Sequence, residues 1–415
     1  MSSEGEGIRE GGRAGWASLA LLSLAVLLAM SPWFTASAAG ELFRDRLGLS
    51  GAELAWLTGA VQMGFVAGTL VAAVLNLADL VPARYYFSIA ALLAAAANAL
   101  LLLPGEYESL LVFRFLTGFF LAAVYPPAMK MAATWFRSGR GMAIGTVVGA
   151  LTVGKAAPFL LRAGGELATP SVVFGASLAA VAGGLLVFAF YRDGPFPFPR
   201  RPFRWDLVGQ VARHKATRLA TWGYLGHMWE LYAVWSAISL YFLDHLLGRG
   251  VVPAAAGASS ALLAFLVIAV GGPGAVVAGL AADRWGRERV AGGAMAVSGA
   301  CCLMAGWILH APPTLVMVVA LIWGFSVVAD SAQFSALVTE VAPPHAVGTA
   351  LTLQTALGFA LTAVSIWLVH WSYEMWGWGW SWMLLAPGPA LGILAMVRLR
   401  ALRRRAARMD PSAAC

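Results

Sequence analysis

Long apolar runs alternate with short polar breaks along this chain, and the runs share one length. Stretches of mostly apolar residues fall at 16–38, 52–75, 85–103, 109–134, 141–161, 170–191, 218–242, 257–281, 290–310, 314–338, 348–370 and 377–397. About twenty apolar residues is the length at which a helix crosses the hydrocarbon of a bilayer. Inside hydrocarbon every backbone N–H and C=O must bond within its own segment. Each run therefore predicts a spanning helix, and the set predicts an all-α membrane protein of twelve transmembrane helices.

The polar breaks carry the topology. With the amino end in the cytoplasm, only Arg44, Arg46, Arg162 and Arg249 of the 28 Lys and Arg fall in outside loops. Most of the others lie in inside loops or tails, so the positive-inside rule places both termini in the cytoplasm. The sequence Ala36-Ser37-Ala38 could imitate a signal-peptidase site, but cleavage there would leave eleven spans, so the first span is read as retained. The longest break, 192–217, carries Pro195, Pro197, Pro199 and Pro202 and splits the spans six and six. The expected organisation is an N-terminal tail (1–15), a six-helix bundle (16–191), a cytoplasmic linker (192–217), a second bundle (218–397) and a basic tail (398–415). That tail reads first as an orientation signal, with acidic lipid headgroups as the alternative partner.

Composition agrees with this picture and removes others. The chain of 415 residues is 60% hydrophobic and 12% charged, whereas a soluble globule is about a quarter charged. No extramembrane catalytic domain fits between the spans. The net charge of +8 is explained by topology rather than by nucleic acid. Cys301, Cys302 and Cys415 lack metal or redox spacing and read as inert filling. No phosphate-binding G-x-x-x-x-G-K-[ST] loop, H-E-x-x-H pair or G-x-S-x-G elbow occurs. The expectation is a protein that is not an enzyme, with no cofactor and no metal, and a gradient rather than ATP as energy source.

The two halves repeat. Asp79 after span 2 and Asp283 after span 8 are 204 residues apart, and Gly141 and Gly348, which open spans 5 and 11, are 207 apart. Near Asp283 the chain reads Gly279-Leu280-Ala281-Ala282-Asp283-Arg284-Trp285-Gly286-Arg287. Gly279 permits close helix contact, Asp283 can accept from a helix N-terminus or an arginine, and Gly286 can turn the chain. This G-x-x-x-D-R-x-G-R pattern resembles the cytoplasmic loop motif of the major facilitator superfamily. The resemblance implies two six-helix bundles related by a near two-fold, a midplane site and alternating access. It further implies a conformational latch at Asp79, Arg84, Gly279, Asp283, Arg284, Gly286 and Arg287. The first copy, with Leu75, Pro82 and Ala83 at motif positions, predicts the weaker latch.

Ionisable residues inside spans are costly and mark function unless they are paired. Arg114, in Arg114-Phe115-Leu116-Thr117-Gly118, resembles the family element tied to proton coupling, with snorkelling from near the outer end to the headgroups as the alternative. Lys155, one of three lysines, reads as a substrate contact, with a structural ion pair or outward snorkelling as alternatives. His227 and Glu230 lie one turn apart on span 7. Glu230 and Asp330 are candidates for the coupling proton, or else for neutralising Lys155 or Lys130. By resemblance, spans 1, 4, 7 and 10 line the cavity, carrying Trp33, Arg114, Tyr125, Lys130, His227, Glu230, Tyr232, Trp235, Asp330 and Gln333. The substrate-binding set is Trp33, Arg114, Tyr125, Lys155, His227, Tyr232, Trp235 and Gln333, and the proton-coupling set is Arg114, Glu230 and Asp330. The Trp371 to Trp382 run reads as an interfacial anchor.

The expected function is secondary transport of a small solute by a monomer in a bacterial inner membrane, with protons and membrane lipid as its other partners. The favoured substrate is a small organic anion moved by proton symport. A proton-coupled exporter of drugs or cationic metabolites is the rival, and a membrane-embedded enzyme or sensor the third reading.

Overall fold

A computed structural model describes residues 12–103, 105–136, 140–164, 169–196 and 203–409. Among the described residues twelve long helices follow one another. They are α1 (Arg13–Ala29, resuming as Thr35–Ala38), α2 (Gly51–Val74), α3 (Ala83–Ala99), α4 (Tyr107–Leu121, resuming as Tyr125–Ala133), α5 (Arg140–Arg162) and α6 (Thr169–Phe190). The second six are α7 (Lys215–Leu247), α8 (Pro253–Ala269, resuming as Gly271–Trp285), α9 (Arg287–Met304), α10 (Pro313–Ala329, resuming as Ser331–Val341), α11 (Val347–Met383) and α12 (Pro387–Met409). Eight apolar stretches qualify as membrane spans on length and hydropathy, and the one at 344–406 contains both α11 and α12. The others are α1, which is interrupted, and α7 and α9, which polar residues dilute.

Four spans expected to be continuous are broken, three of them at or near prolines visible in sequence. Pro32 removes a backbone donor from α1, Pro126 and Pro127 start a new segment in α4, and Pro273 follows the break in α8. In α10 the break falls on Asp330 itself. The outer boundary between the last two spans also moves. Residues 377–383 continue α11 past Gly377, whose φ of +73° bends the helix, and α12 starts ten residues later than its apolar run. Trp376 and Trp380 are exposed, as an interfacial anchor requires. Trp378 and Trp382 instead turn inward, and Trp378 Nε1 donates to Asp244 Oδ2 at 2.8 Å. The tryptophan run is half anchor and half core.

Helices α1 to α6 pack against one another, as do α7 to α12, and the halves meet mainly along α2–α11 and α5–α8. Exchanging each helix with the one six places later converts one junction into the other. The same repeat holds at atomic scale. A Cβ on Gly118 of α4 would stand 2.0 Å from the Val61 carbonyl oxygen of α2, and a Cβ on Gly324 of α10 would stand 1.9 Å from that of Val267 in α8. The second pair is the first displaced by 206 residues. Only glycine allows this approach, which supplies the dispersion contact that replaces hydrophobic drive between helices in lipid.

Local chemistry fixes the ends. Ser50 caps α2 in a reciprocal box with Glu53: Glu53 N donates to Ser50 Oγ (3.2 Å) and Ser50 N donates to Glu53 Oε2 (2.8 Å). Within the linker, Arg204 N donates to Thr349 Oγ1 of α11 at 2.9 Å. Residues 1–11, 197–202 and 410–415 of the expected tails and linker lie outside the described residues.

Candidate functional site

The break in α1 leaves Trp33 and Phe34 at the centre of the molecule, where both halves converge. Lys155 of α5 ends there, 1% exposed. Its Nζ lies 3.7 Å from the centre of the Trp33 ring, 4.6 Å from Tyr232 and 5.8 Å from Phe359, and it donates to the Tyr232 hydroxyl. Further rings close the surroundings: Phe65 stands 5.1 Å from Trp33 and 4.3 Å from Phe359, and Trp235 stands 5.4 Å from Tyr232. The cage thus draws on α1, α2, α5, α7 and α11, from both halves.

No carboxylate among the described residues pairs with Lys155. The ring faces stabilise an ammonium through their quadrupoles, but they leave it donors to spare. The indole N–H groups of Trp33 and Trp235 have no hydrogen-bond partner among the described residues, nor does the side-chain amide of Gln62, one turn from Phe65 on α2. Buried donors normally find acceptors. This cluster is rich in unanswered donors and positive charge.

Two other buried ions, Arg114 and Glu230, are answered within their own halves. Arg114, 0% exposed, donates through Nη1 to Pro32 O (2.9 Å) and Asn98 Oδ1 (3.1 Å), through Nε to Leu57 O (3.4 Å), and through Nη2 to Trp33 O. The carbonyls of Pro32 and Trp33 are those freed by the α1 break, so Arg114 seals that break and joins α4 to α1, α2 and α3. Glu230 does the reverse in the other half. It accepts from Ser298 Oγ (2.9 Å), Cys302 Sγ (3.2 Å) and Trp323 Nε1 (2.5 Å), joining α7 to α9 and α10. Cys302 is therefore a ligand of this carboxylate rather than filling, while Cys415 lies outside the described residues.

A third polar group occupies the α10 break. His227 Nδ1 meets Asp330 Oδ1 at 2.8 Å, and His227 Nε2 meets Ser331 Oγ at 2.9 Å. Carboxylate, imidazole and hydroxyl stand in series between α7 and α10.

The residues expected to bind substrate separate into groups. Trp33, Lys155, Tyr232 and Trp235 share the cage, and Tyr125 stands within electrostatic reach of Tyr232 and Tyr224. Arg114 and His227 belong to the networks just described. Gln333 is bound elsewhere, accepting from Arg287 Nη1 at 3.0 Å. Phe34, Phe65, Phe159, Phe359 and Gln62 were not expected; Gln62 and Phe65 of α2 and Phe359 of α11 lie outside the four helices taken to line the cavity.

At the loop between α8 and α9, Gly286 turns the chain with φ +87°. Arg287 Nε pairs with Glu340 of α10 at 2.6 Å, and Arg403 of α12 bridges Glu288 (2.8 Å) and Glu340 (3.1 Å). Asp283 and Arg284 are exposed, and a Cβ on Gly279 would meet nothing within 4 Å. The loop is thus tied within its own half. In the first copy, Arg84 stacks on Tyr85 at 4.6 Å, and the side chain of Asp79 lies outside the described residues.

Comparison with known proteins places this architecture. Solved structures of transporters superpose over nearly the whole chain. The nucleoside transporter NupG, in a variant form, gives a TM-score of 0.68 at 12% identity, covering 92% of this chain and 99% of its own. A bacterial homologue of the human lysosomal transporter Spinster, inward-facing and occupied, gives 0.64 at 15% identity, covering 95% and 97%. The human organic anion transporter MFSD10 (TETRAN) gives 0.65 at 15% identity, covering 92% and 99%. At such identities the likeness is one of fold. No curated protein matches the sequence. The model of the Major Facilitator Superfamily matches residues 21–272, more than half of the chain, and with the twelve-helix, two-half architecture this makes the protein an integral membrane transporter of that superfamily.

Proposed function

We propose that the protein is a proton-coupled symporter of a small organic anion, held in a bacterial inner membrane with both termini in the cytoplasm. The observation that carries the substrate class is the cage. Its one ion is the Lys155 ammonium, without a carboxylate among the described residues, and the nearest free polar atoms include two indole N–H donors. An anion with an apolar body would satisfy the donors with its carboxylate and the rings with its carbon. A cationic cargo would have to share the cage with Lys155 at a few ångströms, where like charges in a low dielectric repel strongly.

For the proton, Asp330 with His227 and Ser331 is the better supported carrier. Asp330 and His227, in ion-pair contact at 2.8 Å with Ser331 on the far side of the imidazole, can hold a proton between them at a break in α10, the element whose two segments can move separately. Glu230, with three donors directed at it, serves the packing of α7 on α9 and α10.

The test is uptake of labelled mono- and dicarboxylates into proteoliposomes under an imposed pH gradient, the candidates chosen by thermal shift, since a ligand of the folded state raises apparent stability. Asp330→Asn is expected to keep solute exchange and lose gradient-driven accumulation, whereas Lys155→Met loses both. Inhibition by lipophilic cations but not by carboxylates would overturn the reading in favour of an exporter.

A further inference from the structure

Two clefts flank α9 on the face that carries the arginine-rich loops, and they share Arg289. One, about 520 Å³, lies between α9 and α12 and is rimmed by Arg289, Arg400, Arg404 and Arg405, with Glu288 the acid beside them. Glu288 is already engaged by Arg403. Among the described residues none of the four arginines forms an ion pair, and Arg400 stands within electrostatic reach of both Arg289 and Arg404. Glu288 also reaches Arg400, but one carboxylate shared with Arg403 does not balance four guanidinium groups, and an anion between them would offset their repulsion.

The second cleft, about 680 Å³, runs along α8, α9 and α10 and is almost wholly apolar, with Val277, Val297, Ile322 and Phe325 on its walls and Trp285 and Arg289 among its lining residues. Val277, Val297, Ile322 and Trp285 are all exposed, so the groove faces the bilayer. The position of the pair along the membrane normal is fixed by α12, which changes from apolar residues up to Val397 to the basic run starting at Arg398. That change of character marks the bilayer surface.

We infer that α9 and its two clefts form a binding site for an anionic glycerophospholipid, the phosphate seated among Arg289, Arg400 and Arg404 and one acyl chain lying in the groove between α8 and α10. Arginine suits this role because its planar fork holds phosphate oxygens in pairs. Neither cleft suffices alone: the first offers charge without length, the second length without charge. Their shared Arg289 makes them one amphiphilic site. A diffuse basic tail would attract acidic membranes as well, but it would not distinguish arginines that line the cleft from those that do not.

The experiment is native mass spectrometry of the full-length protein released from nanodiscs of phosphatidylcholine doped with phosphatidylglycerol. Retention of phosphatidylglycerol over phosphatidylcholine is expected. Arg289→Gln with Arg400→Gln should weaken it about fivefold per arginine, the effect of one cation at an acidic surface, whereas Arg398→Gln, outside the cleft, should not. Gly293→Trp, which fills the groove, should reduce retention of the diacyl lipid and leave binding of glycerol phosphate unchanged. Size-exclusion profiles confirm that each variant is folded. Equal losses for Arg398→Gln and the cleft pair would overturn the site in favour of tail electrostatics. Displacement of the lipid by glycerol phosphate or inorganic phosphate at equal concentration would show a soluble anion site instead.

Discussion

Replacing Lys155 by methionine separates a functional lysine from a structural one, because the two roles predict opposite signs. In the cage the ammonium gains ring contacts worth about 2 kcal/mol when desolvated and a hydrogen bond to Tyr232 worth about 1 kcal/mol. Against this stands the several kcal/mol that an ammonium loses on leaving water. Methionine has nearly the same length, keeps the packing against Trp33 and Phe359, and carries no charge. The variant is therefore expected to be more stable than the parent by about 1–2 kcal/mol, in the manner of active sites that hold a destabilising group for function. Differential scanning fluorimetry in detergent reads this as a rise in midpoint, and the same preparation in proteoliposomes should lose anion uptake. A charged hydrogen bond to the cargo is worth about 1.5–3 kcal/mol, so affinity should fall about ten- to a hundredfold. A lysine that completed a buried ion pair would give a drop of about 3–5 kcal/mol on loss of its charge. A fall in midpoint of that order, or unaltered uptake, refutes the assignment.

Other perturbations follow from the same geometry. Gly118→Ala and Gly324→Ala each push a methyl into a carbonyl about 2 Å away, and each should cost at least about 1–3 kcal/mol, read as lower thermal midpoints of similar size in the two halves; a tolerated alanine at either would contradict the close contact. Glu230→Ala strands the Trp323, Ser298 and Cys302 donors and should destabilise by about 1–3 kcal/mol, while Glu230→Gln retains an acceptor and more of the stability; equal midpoints would remove Glu230 from the packing network. Arg287→Ala breaks a pair at the surface, worth no more than about 1 kcal/mol, so any larger change in transport rate in stopped-flow assays would report a conformational role for that loop.

The fold was legible because lipid imposes a length and a polarity that the sequence must display openly. Twelve apolar runs and the repeated Asp79/Asp283 and Gly141/Gly348 spacings anticipated the helices and their relation. The breaks were harder: Pro32, Pro126 and Pro273 announced where a helix could be interrupted, but hydropathy averages across such points, and Asp330 carries no helix-breaking signature of its own. The site was half legible. Lys155 and Tyr232 stood out as polar residues in apolar company, but their cage partners Phe65 and Phe359 look like any other core aromatic until α2 and α11 are seen to cross. Arg114 shows the other limit of the sequence. An arginine in a span promises function, and only the structure reveals that its acceptors include the carbonyls of Pro32 and Trp33 at the break in α1, about 80 residues away in sequence.

The division of buried polar groups has a consequence for mechanism. Arg114 and Glu230 carry opposite charges, yet each links the helices that correspond under the repeat: α4 to α1 and α3, and α7 to α9 and α10. Each half is thereby bound internally by an ion whose hydrogen bonds do not cross to the other half. Under the proposed alternating access, rocking of the halves would leave both networks intact, so these ions would add no electrostatic cost to the motion. The cage is the opposite case. Trp33 and Lys155 come from one half and Tyr232 and Phe359 from the other, so any separation of the halves pulls the rings from the ammonium and rewets it. A bound anion that meets the lysine and the indole donors changes the cost of that step. On the proposed reading, coupling of cargo to conformation lies in the charged cluster that both halves share, while Arg114 and Glu230 hold each half together and the α10 break at Asp330 carries the proton.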